Sequence, residues 1–439
     1  MNQEIYNICE WVVDEVRKKG AACKVVFSKR RFVDIRYRKQ RPEIIKEAAT
    51  QELDLNLYVN GKYSSQSTPD MRKQALEKFI SDAVINTGFV EEDPFRTLPG
   101  NDLYQGREER DLHLYDNKHS DFTHEARHTI AKTIEEACLE AGGEKVISAE
   151  AGFNDDEWEE LVLTSNGFEG TSKATGYRAN VSMTIQDEGN RRPNGYYRIA
   201  SRFVNDLPSP VETGHIAVQK TLDLLGAKKL ETKKLPVIVE NRVVSALLRG
   251  FLSGLYGNNI RQKRSFLSGM KGKLTGSKLL TLIDDPFIEK GFGSRLYDDD
   301  GFPAKKRIII SEGKIEEYFI DWYSSRKLNC PPTTGGPSNL LIPQGNKSIA
   351  ELMCDLDSGI LITGFIGGNS NSTTGDFSIG ITGKLFEKGT PVQSVAEMNI
   401  ADNHLNFWKK LIAVGNDPWK FSNWIMPSLV FDEIMVGGI

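Results

Sequence analysis

The chain has 439 residues, a formal net charge of −4, and 26% charged against 39% hydrophobic residues. That balance suits a soluble globular protein of about two to three domains. It excludes a disordered chain and a dedicated nucleic-acid binder, which needs a basic surplus, and no apolar run nears the roughly 20 residues that span a bilayer.

Residues 2–19 alternate apolar and charged side chains at helical spacing, without the unbroken apolar core or small-residue cleavage site of a signal peptide. Strands are expected at 23–28, 31–38 and 52–59. Residues 24–41 hold eight basic side chains, with Asp34 the lone acid, and the alternation of Val33, Ile35 and Tyr37 with Asp34, Arg36 and Arg38 predicts a strand with one basic face. Such a face either contacts an anion or nucleic acid, or is a solvated edge that blocks aggregation. Asn60-Gly61 signals a type I′ hairpin, and Thr68-Pro69 predicts a cap and first position for a helix over 70–87. Residues 90–119 are polar, contain Pro94 and Pro99, and read as a connector.

A second helix, from near Ser120 to Glu140, is stopped by Gly142-Gly143. Strands at 144–150, 158–164, 168–185 and 194–203 and a helix at 210–225 complete a second α+β unit. From Lys234 the texture changes. A short apolar strand at 235–239 and an apolar helix over 241–257 precede short strands and Gly-rich loops. The fold class is therefore α+β: segments 1–90 and 120–230, joined by 91–119, then a β-rich domain over 231–439.

His124-Glu125-Ala126-Arg127-His128 matches H-E-x-x-H, the spacing that places two imidazoles on one helical face with a Glu as general base for zinc-bound water. Here the apolar face is formed by Phe122, Ala126, Ile130, Ile134 and Ala137, and the two histidines fall outside it, beside Lys132 and Glu135. They are expected to face solvent or a neighbouring surface, without an evident third ligand. Surface or helix-end roles are expected for His113, His119, His215 and His404. The five cysteines, Cys9, Cys23, Cys138, Cys330 and Cys354, are dispersed without a C-x-x-C pair, as suits reduced thiols in a cytoplasmic protein. Asp298-Asp299-Asp300-Gly301 lacks the alternation of a calcium loop and reads as a turn.

Several blocks carry a family resemblance: residues 235–248 (LPVIVENRVVSALL), Ile283-Asp284-Asp285-Pro286, residues 293–301, Tyr323-Ser324-Ser325-Arg326-Lys327-Leu328, Thr374-Gly375-Asp376-Phe377-Ser378 and Ala413-Val414-Gly415-Asn416-Asp417. In this order they resemble the TldD/PmbA family, once described as modulators of DNA gyrase. In that family, TldD-type chains carry H-E-x-x-x-H on the helix after the LPVIV-like strand and a Cys ligand near the C-terminus. Here the corresponding stretch, 248–257, has neither His nor Glu, and no Cys follows Cys354.

The resemblance therefore implies a PmbA-type, non-catalytic subunit with no zinc of its own. Zinc is expected in a TldD-type partner, an unfolded peptide as substrate, and a homodimer when the chain is isolated. Thr334, Gly335, Gly336, Thr374, Gly375 and Asp376 are expected around a peptide cleft. Arg249, Gly250, Ser253 and Gly254 are expected on a helix that packs closely, inside the domain or against the partner. Two rival readings remain: a self-sufficient zinc peptidase using His124, Glu125 and His128, and a regulatory protein linked to DNA gyrase through the basic strand.

Overall fold

The computed structural model describes residues 2–438. β1 (Ala22–Arg38), β2 (Arg41–Val59), β3 (Lys62–Thr68), β4 (Val146–Thr164), β5 (Glu169–Ile185) and β6 (Asn194–Ser201) form one antiparallel sheet in the order β3-β2-β1-β4-β5-β6. Both α+β segments thus contribute to a single sheet. β1 runs through the centre of the sheet with a period-2 pattern: Cys23, Val25, Phe27, Val33, Ile35 and Tyr37 are buried on one face. The helices α1 (Gln3–Lys18) and α2 (Lys73–Thr87) cover one end of that face. The helices α3 (His124–Gly142) and α4 (Pro210–Leu222) cover the other. Asn60 and Gly61 both take positive φ, 48° and 75°, as the type I′ turn requires.

β1 is one strand where two were expected. The polar stretch at 28–31 stays extended because its charges find cross-strand partners: Arg30 meets Asp156 at 2.9 Å and Arg31 meets Glu47 at 2.6 Å. The expected connector is packed rather than loose. The Leu114 carbonyl accepts from Thr175 N, the Leu112 carbonyl accepts from Lys290 N, and Arg96 lies between the rings of Tyr63 and Tyr323, 4.7 and 3.8 Å from their centroids.

The C-terminal part opens with β7 (Lys233–Val239), α5 (Asn241–Leu252) and α6 (Gly257–Arg261). Then follow β8 (Leu282–Asp284), β9 (Arg307–Ser311), β10 (Lys314–Ile315), α7 (Trp322–Leu328), β11 (Leu340–Leu341) and α8 (Ile349–Leu356). The chain ends with β12 (Ser358–Ser370), β13 (Asp376–Glu387), β14 (Thr390–Asn403), α9 (His404–Phe407), β15 (Leu411–Val414), β16 (Trp424–Ile425) and β17 (Leu429–Gly437). One sheet runs β14-β13-β12-β7-β17-β15 and curls back on itself through a β14–β17 pairing; a smaller one runs β10-β9-β8-β11-β16.

α5 sits in the main C-terminal core, with Val244, Leu247, Leu248, Phe251 and Leu252 fully buried. Each such side chain contributes about 1.5–3 kcal/mol, so together they outweigh the ~1 kcal/mol helix penalty of Gly250. The helix expected through residue 257 ends at Leu252. A 3₁₀ turn follows, and Tyr256 is extended at φ −79°, ψ 131°. The chain turns there because Gly257 N is bound by the Phe319 carbonyl at 2.7 Å. Among the described residues, no helix is long and apolar enough to cross a membrane.

Candidate functional site

On α3 the residue that the H-E-x-x-H match ignores is the one the fold uses. Arg127 is 1% exposed, and its guanidinium clasps Asp155, equally buried, through Nε at 2.6 Å and Nη2 at 2.8 Å. His119 closes the group, with Nε2 2.7 Å from Asp155 Oδ1. Burial pushes the Asp155 carboxyl up, but the hydrogen bonds from Arg127 and His119 outweigh it and hold it below its usual range. With Arg127 turned inward, His124 points out beside Glu47, 3.5 Å away. Glu125 is exposed. His128 Nδ1 lies 3.0 Å from the Tyr37 hydroxyl. The two histidines thus meet different partners. Glu135, expected on the outer face with them, is instead fully buried and accepts the Gln40 N–H at 3.1 Å.

His119 and His404 each begin a short helix, as a helix-end role requires, but both are buried rather than at the surface, because their partners come from distant parts of the chain. His404 is stacked between Phe377 and Phe266, with centroids 4.7 and 5.8 Å away. Trp408 Nε1 donates to His404 Nδ1 at 3.3 Å, and Nε2 lies 2.9 Å from Ser370 Oγ. An indole N–H only donates, so Nδ1 is the acceptor, and Nε2 carries the hydrogen and donates to Ser370. His404 therefore offers no free lone pair to a metal and cannot act as a base toward Ser370. Burial pushes its pKa down to about 4, so it is neutral at physiological pH.

This imidazole lies directly against α5. A Cβ at Gly250 would sit 2.6 Å from His404 Nε2 and 2.7 Å from Ser370 Oγ. Arg249 is exposed, its guanidinium 5.1 Å from the Trp424 ring centroid. Ser253 Oγ donates to the Gly250 carbonyl at 2.6 Å, and Gly254 is pressed against Leu267 and Phe266. These small residues serve close packing within the domain.

The two Gly-rich loops both reach this segment. In one, Gly375 has φ +82° and abuts Phe266, its carbonyl accepts from His404 N at 2.8 Å, and Asn403 Nδ2 ties the Thr374 carbonyl to Asp376 Oδ1 at 2.9 Å each. In the other, Arg295 Nη2 donates to Thr334 Oγ1 and the Gly336 carbonyl at 3.2 and 2.6 Å, while Gly336 borders Tyr256 and Gly335 borders Asp321. The structure therefore gathers Gly250, Gly254, Thr374, Gly375 and Gly336 around one bend, and leaves His124, Glu125 and His128 on a separate surface. Sequence reasoning missed His404, Ser370, Phe266 and Phe377. Phe377 lies within the 374–378 block, but no local pattern joins it to the other three, since His404 meets Gly250 only through the tertiary fold.

Zinc needs converging imidazole, thiolate or carboxylate donors. The end of α5 presents Arg249, Gly250, Ser253 and Gly254, with His404 engaged at both nitrogens, and these residues do not fit the ion. Among the described residues no group of three or more His, Cys, Asp or Glu side chains is arranged to hold a metal.

Residues 232–438 match the model of the PmbA/TldA metallopeptidase C-terminal domain, and residues 117–225 that of the central domain of the same proteins. The metalloprotease PmbA of Escherichia coli O157:H7 is 26% identical over 429 residues, covering 96% of this chain and 93% of that protein. A solved structure from Bacteroides thetaiotaomicron, described as a proposed modulator of DNA gyrase, superposes with a TM-score of 0.96 at 35% identity, each chain covered in full. TldE of Thermococcus kodakarensis shares the fold at a TM-score of 0.86 and 17% identity, covering 99% of this chain and 100% of that one.

Proposed function

The chain belongs to the PmbA/TldD metallopeptidase family, and from that premise we propose that it is a PmbA-type subunit without hydrolytic metal of its own. It works beside a TldD-type partner that carries the zinc, helps shape a chamber for unfolded peptides, and pairs with a second copy of itself when that partner is missing. The cytoplasm is its place of action.

One observation carries this reading. In the stretch 248–257, which the resemblance matches to the catalytic chains' H-E-x-x-x-H helix, this chain has neither His nor Glu, and a Cβ at Gly250 would already meet His404 Nε2 at 2.6 Å and Ser370 Oγ at 2.7 Å. The loops at 334–336 and 374–376 border the same bend. Their glycines let an extended peptide approach backbone groups, in the manner of an added strand.

The test is peptide hydrolysis by the purified chain, by a TldD-type partner, and by the two mixed, with zinc measured in each. The expected result is no stoichiometric zinc and no hydrolysis by this chain alone, and faster cleavage by the mixture than by the partner. Hydrolysis by the lone chain, lost together with zinc in His124→Ala, would overturn the proposal in favour of a self-sufficient peptidase.

A further inference from the structure

Residues 241–283 hold eight basic side chains and no acid, in a chain whose net charge is −4. The basic face of β1 is answered by carboxylates: Arg30, Arg31, Arg36 and Arg38 each meet one at 3.0 Å or less. The end of the acid-free stretch is not. Lys271, Lys273 and Lys278 are exposed, as are Lys314 and Lys409 on the segments beside it, and none of the five forms an ion pair among the described residues. Glu312 and Glu316 are the exposed acids on either side of Lys314. Five lysines against two acids leave a positive field at this surface.

The backbone of this segment is pinned, so what it shows to solvent is fixed. Gly272 N and Thr275 N donate to the carbonyls of Ile315 and Gly313, each at 2.7 Å, and Ser277 N donates to that of Trp408 at 2.9 Å. Thr275, Gly276 and Leu280 are buried, while Leu274 and Leu279 remain 49% and 48% exposed between the lysines. Leu274 pairs across a β-bridge with Lys314. Leu279 forms one wall of an open groove of about 450 Å³, whose other walls include Leu352 and Leu356 of α8 and Ile412 and Val414 of β15. Ile412 is itself half-exposed, three residues from Lys409.

This mixture selects among anionic partners. A nucleic acid is held through its phosphates, and phosphates give exposed leucines nothing to bury into. Protein interfaces favour aromatic side chains and arginine and are depleted in lysine, whereas the unpaired charges here are all lysines. Lysines interleaved with leucines suit the boundary of an anionic bilayer, where ammonium groups meet headgroup phosphates and aliphatic side chains enter the acyl region. The groove behind Leu279 extends the apolar part of that contact.

We propose that the surface formed by residues 271–279, with Lys314 and Lys409 beside it, docks on an anionic lipid bilayer, its lysines at the headgroups and Leu274 and Leu279 in the acyl boundary. The assignment rests on the charge and exposure of this surface and stands apart from the reading of α5.

Co-sedimentation of the full chain with vesicles tests it, using phosphatidylcholine alone and phosphatidylcholine with about one-third phosphatidylglycerol. The chain is expected to sediment with the mixed vesicles at ~0.1 M salt, to stay in solution with the neutral ones, and to be released at ~1 M salt, where the Debye length falls to about 3 Å. Lys271→Gln/Lys273→Gln should weaken binding roughly 25-fold, at about fivefold for each lysine. Leu274→Ser/Leu279→Ser should weaken it roughly tenfold or more without changing its salt dependence. Both variants alter exposed side chains, so their unfolding midpoints should stay close to wild type. No sedimentation with the mixed vesicles, equal sedimentation with the neutral ones, or full binding by the lysine variant would each overturn the assignment. Loss in the lysine variant with none in the leucine variant would overturn it too, in favour of a polyanion such as duplex DNA. None of these outcomes bears on whether the chain carries zinc.

Discussion

α3 and α5 make opposite uses of a helix. α3 carries the residues of a zinc motif but, beside the apolar Ala131, Ile134 and Cys138 that it buries, turns Arg127 inward to a charged clasp and leaves His124 and His128 with other partners. α5 carries neither His nor Glu, and buries only aliphatic and aromatic side chains under a neutral imidazole. A motif therefore reads as a site only when its ligating face is the face the fold turns toward a cleft. In α3 Arg127 takes an inward position, and its neighbour His128 is about 100° further round the helix.

The contrast breaks most visibly at the clasp. Arg127→Met leaves Asp155 buried without its main partner, and removal of one member of a buried pair costs about 3–5 kcal/mol. The first sheet should unfold at clearly lower denaturant in this variant, followed by circular dichroism, while the C-terminal core persists. Loss below about 1 kcal/mol would mean that His119 alone suffices for Asp155.

A second carboxyl sharpens the comparison by responding to pH in the opposite sense. Asp155 is held below its usual range, so its contribution is present above the unfolded pKa of about 3.9 and lost as the pH falls through the lower folded value. Asp300 sits in the other half. Burial first, and then the charges of Asp298 and Asp321, raise its pKa to about 6 against the Trp322 N–H that it accepts. The folded state keeps this proton longer than the unfolded one. Its stability is therefore greatest below about pH 4, declines as the pH rises toward 6, and is level beyond. Asp300→Asn should flatten that interval and add about 1–3 kcal/mol at pH 7, read as a change in the pH slope of the unfolding midpoint. An unchanged slope would mean that water reaches the carboxyl.

At α5 the expected effect is smaller. Gly250→Ala gains about 1 kcal/mol of helix propensity but drives a methyl into His404, an overpacking cost of about 1–3 kcal/mol. A net loss of up to about 2 kcal/mol is expected, and His404→Ala in the same chain should remove most of the clash. A double-mutant cycle that shows no coupling would place the imidazole away from the helix.

Much of this was readable where the signal is local. The Asn60-Gly61 turn, the alternation along β1 and the donor-free stretch at 248–257 each follow from neighbouring residues, and the α+β class follows from the order of their periodicities. What stayed hidden depends on partners remote in the chain. The polar residues at 28–31 looked like a break because Asp156 and Glu47 could not be seen opposite them. His119 and His404 looked like surface groups for want of Asp155, Trp408 and Ser370.

The smallest effect is expected at the basic face of β1, the one feature that would tie this chain to DNA. Arg36 lies 3.0 Å from Asp34 and 3.6 Å from Glu150, and Arg38 lies 3.0 Å from Glu43, with both arginines more than a third exposed. Exposed pairs of this kind contribute about 0–1 kcal/mol. Their charges are already balanced by acids of β1, β2 and β4, so little field is left for phosphates. The double variant Arg36→Gln/Arg38→Gln should therefore shift stability by no more than about 1 kcal/mol, and mobility-shift titrations should find neither wild type nor variant on duplex DNA at 150 mM salt. Salt-sensitive binding by the wild type that vanishes in the variant would show that these acids yield to a nucleic acid, and would return the strand to the list of working surfaces.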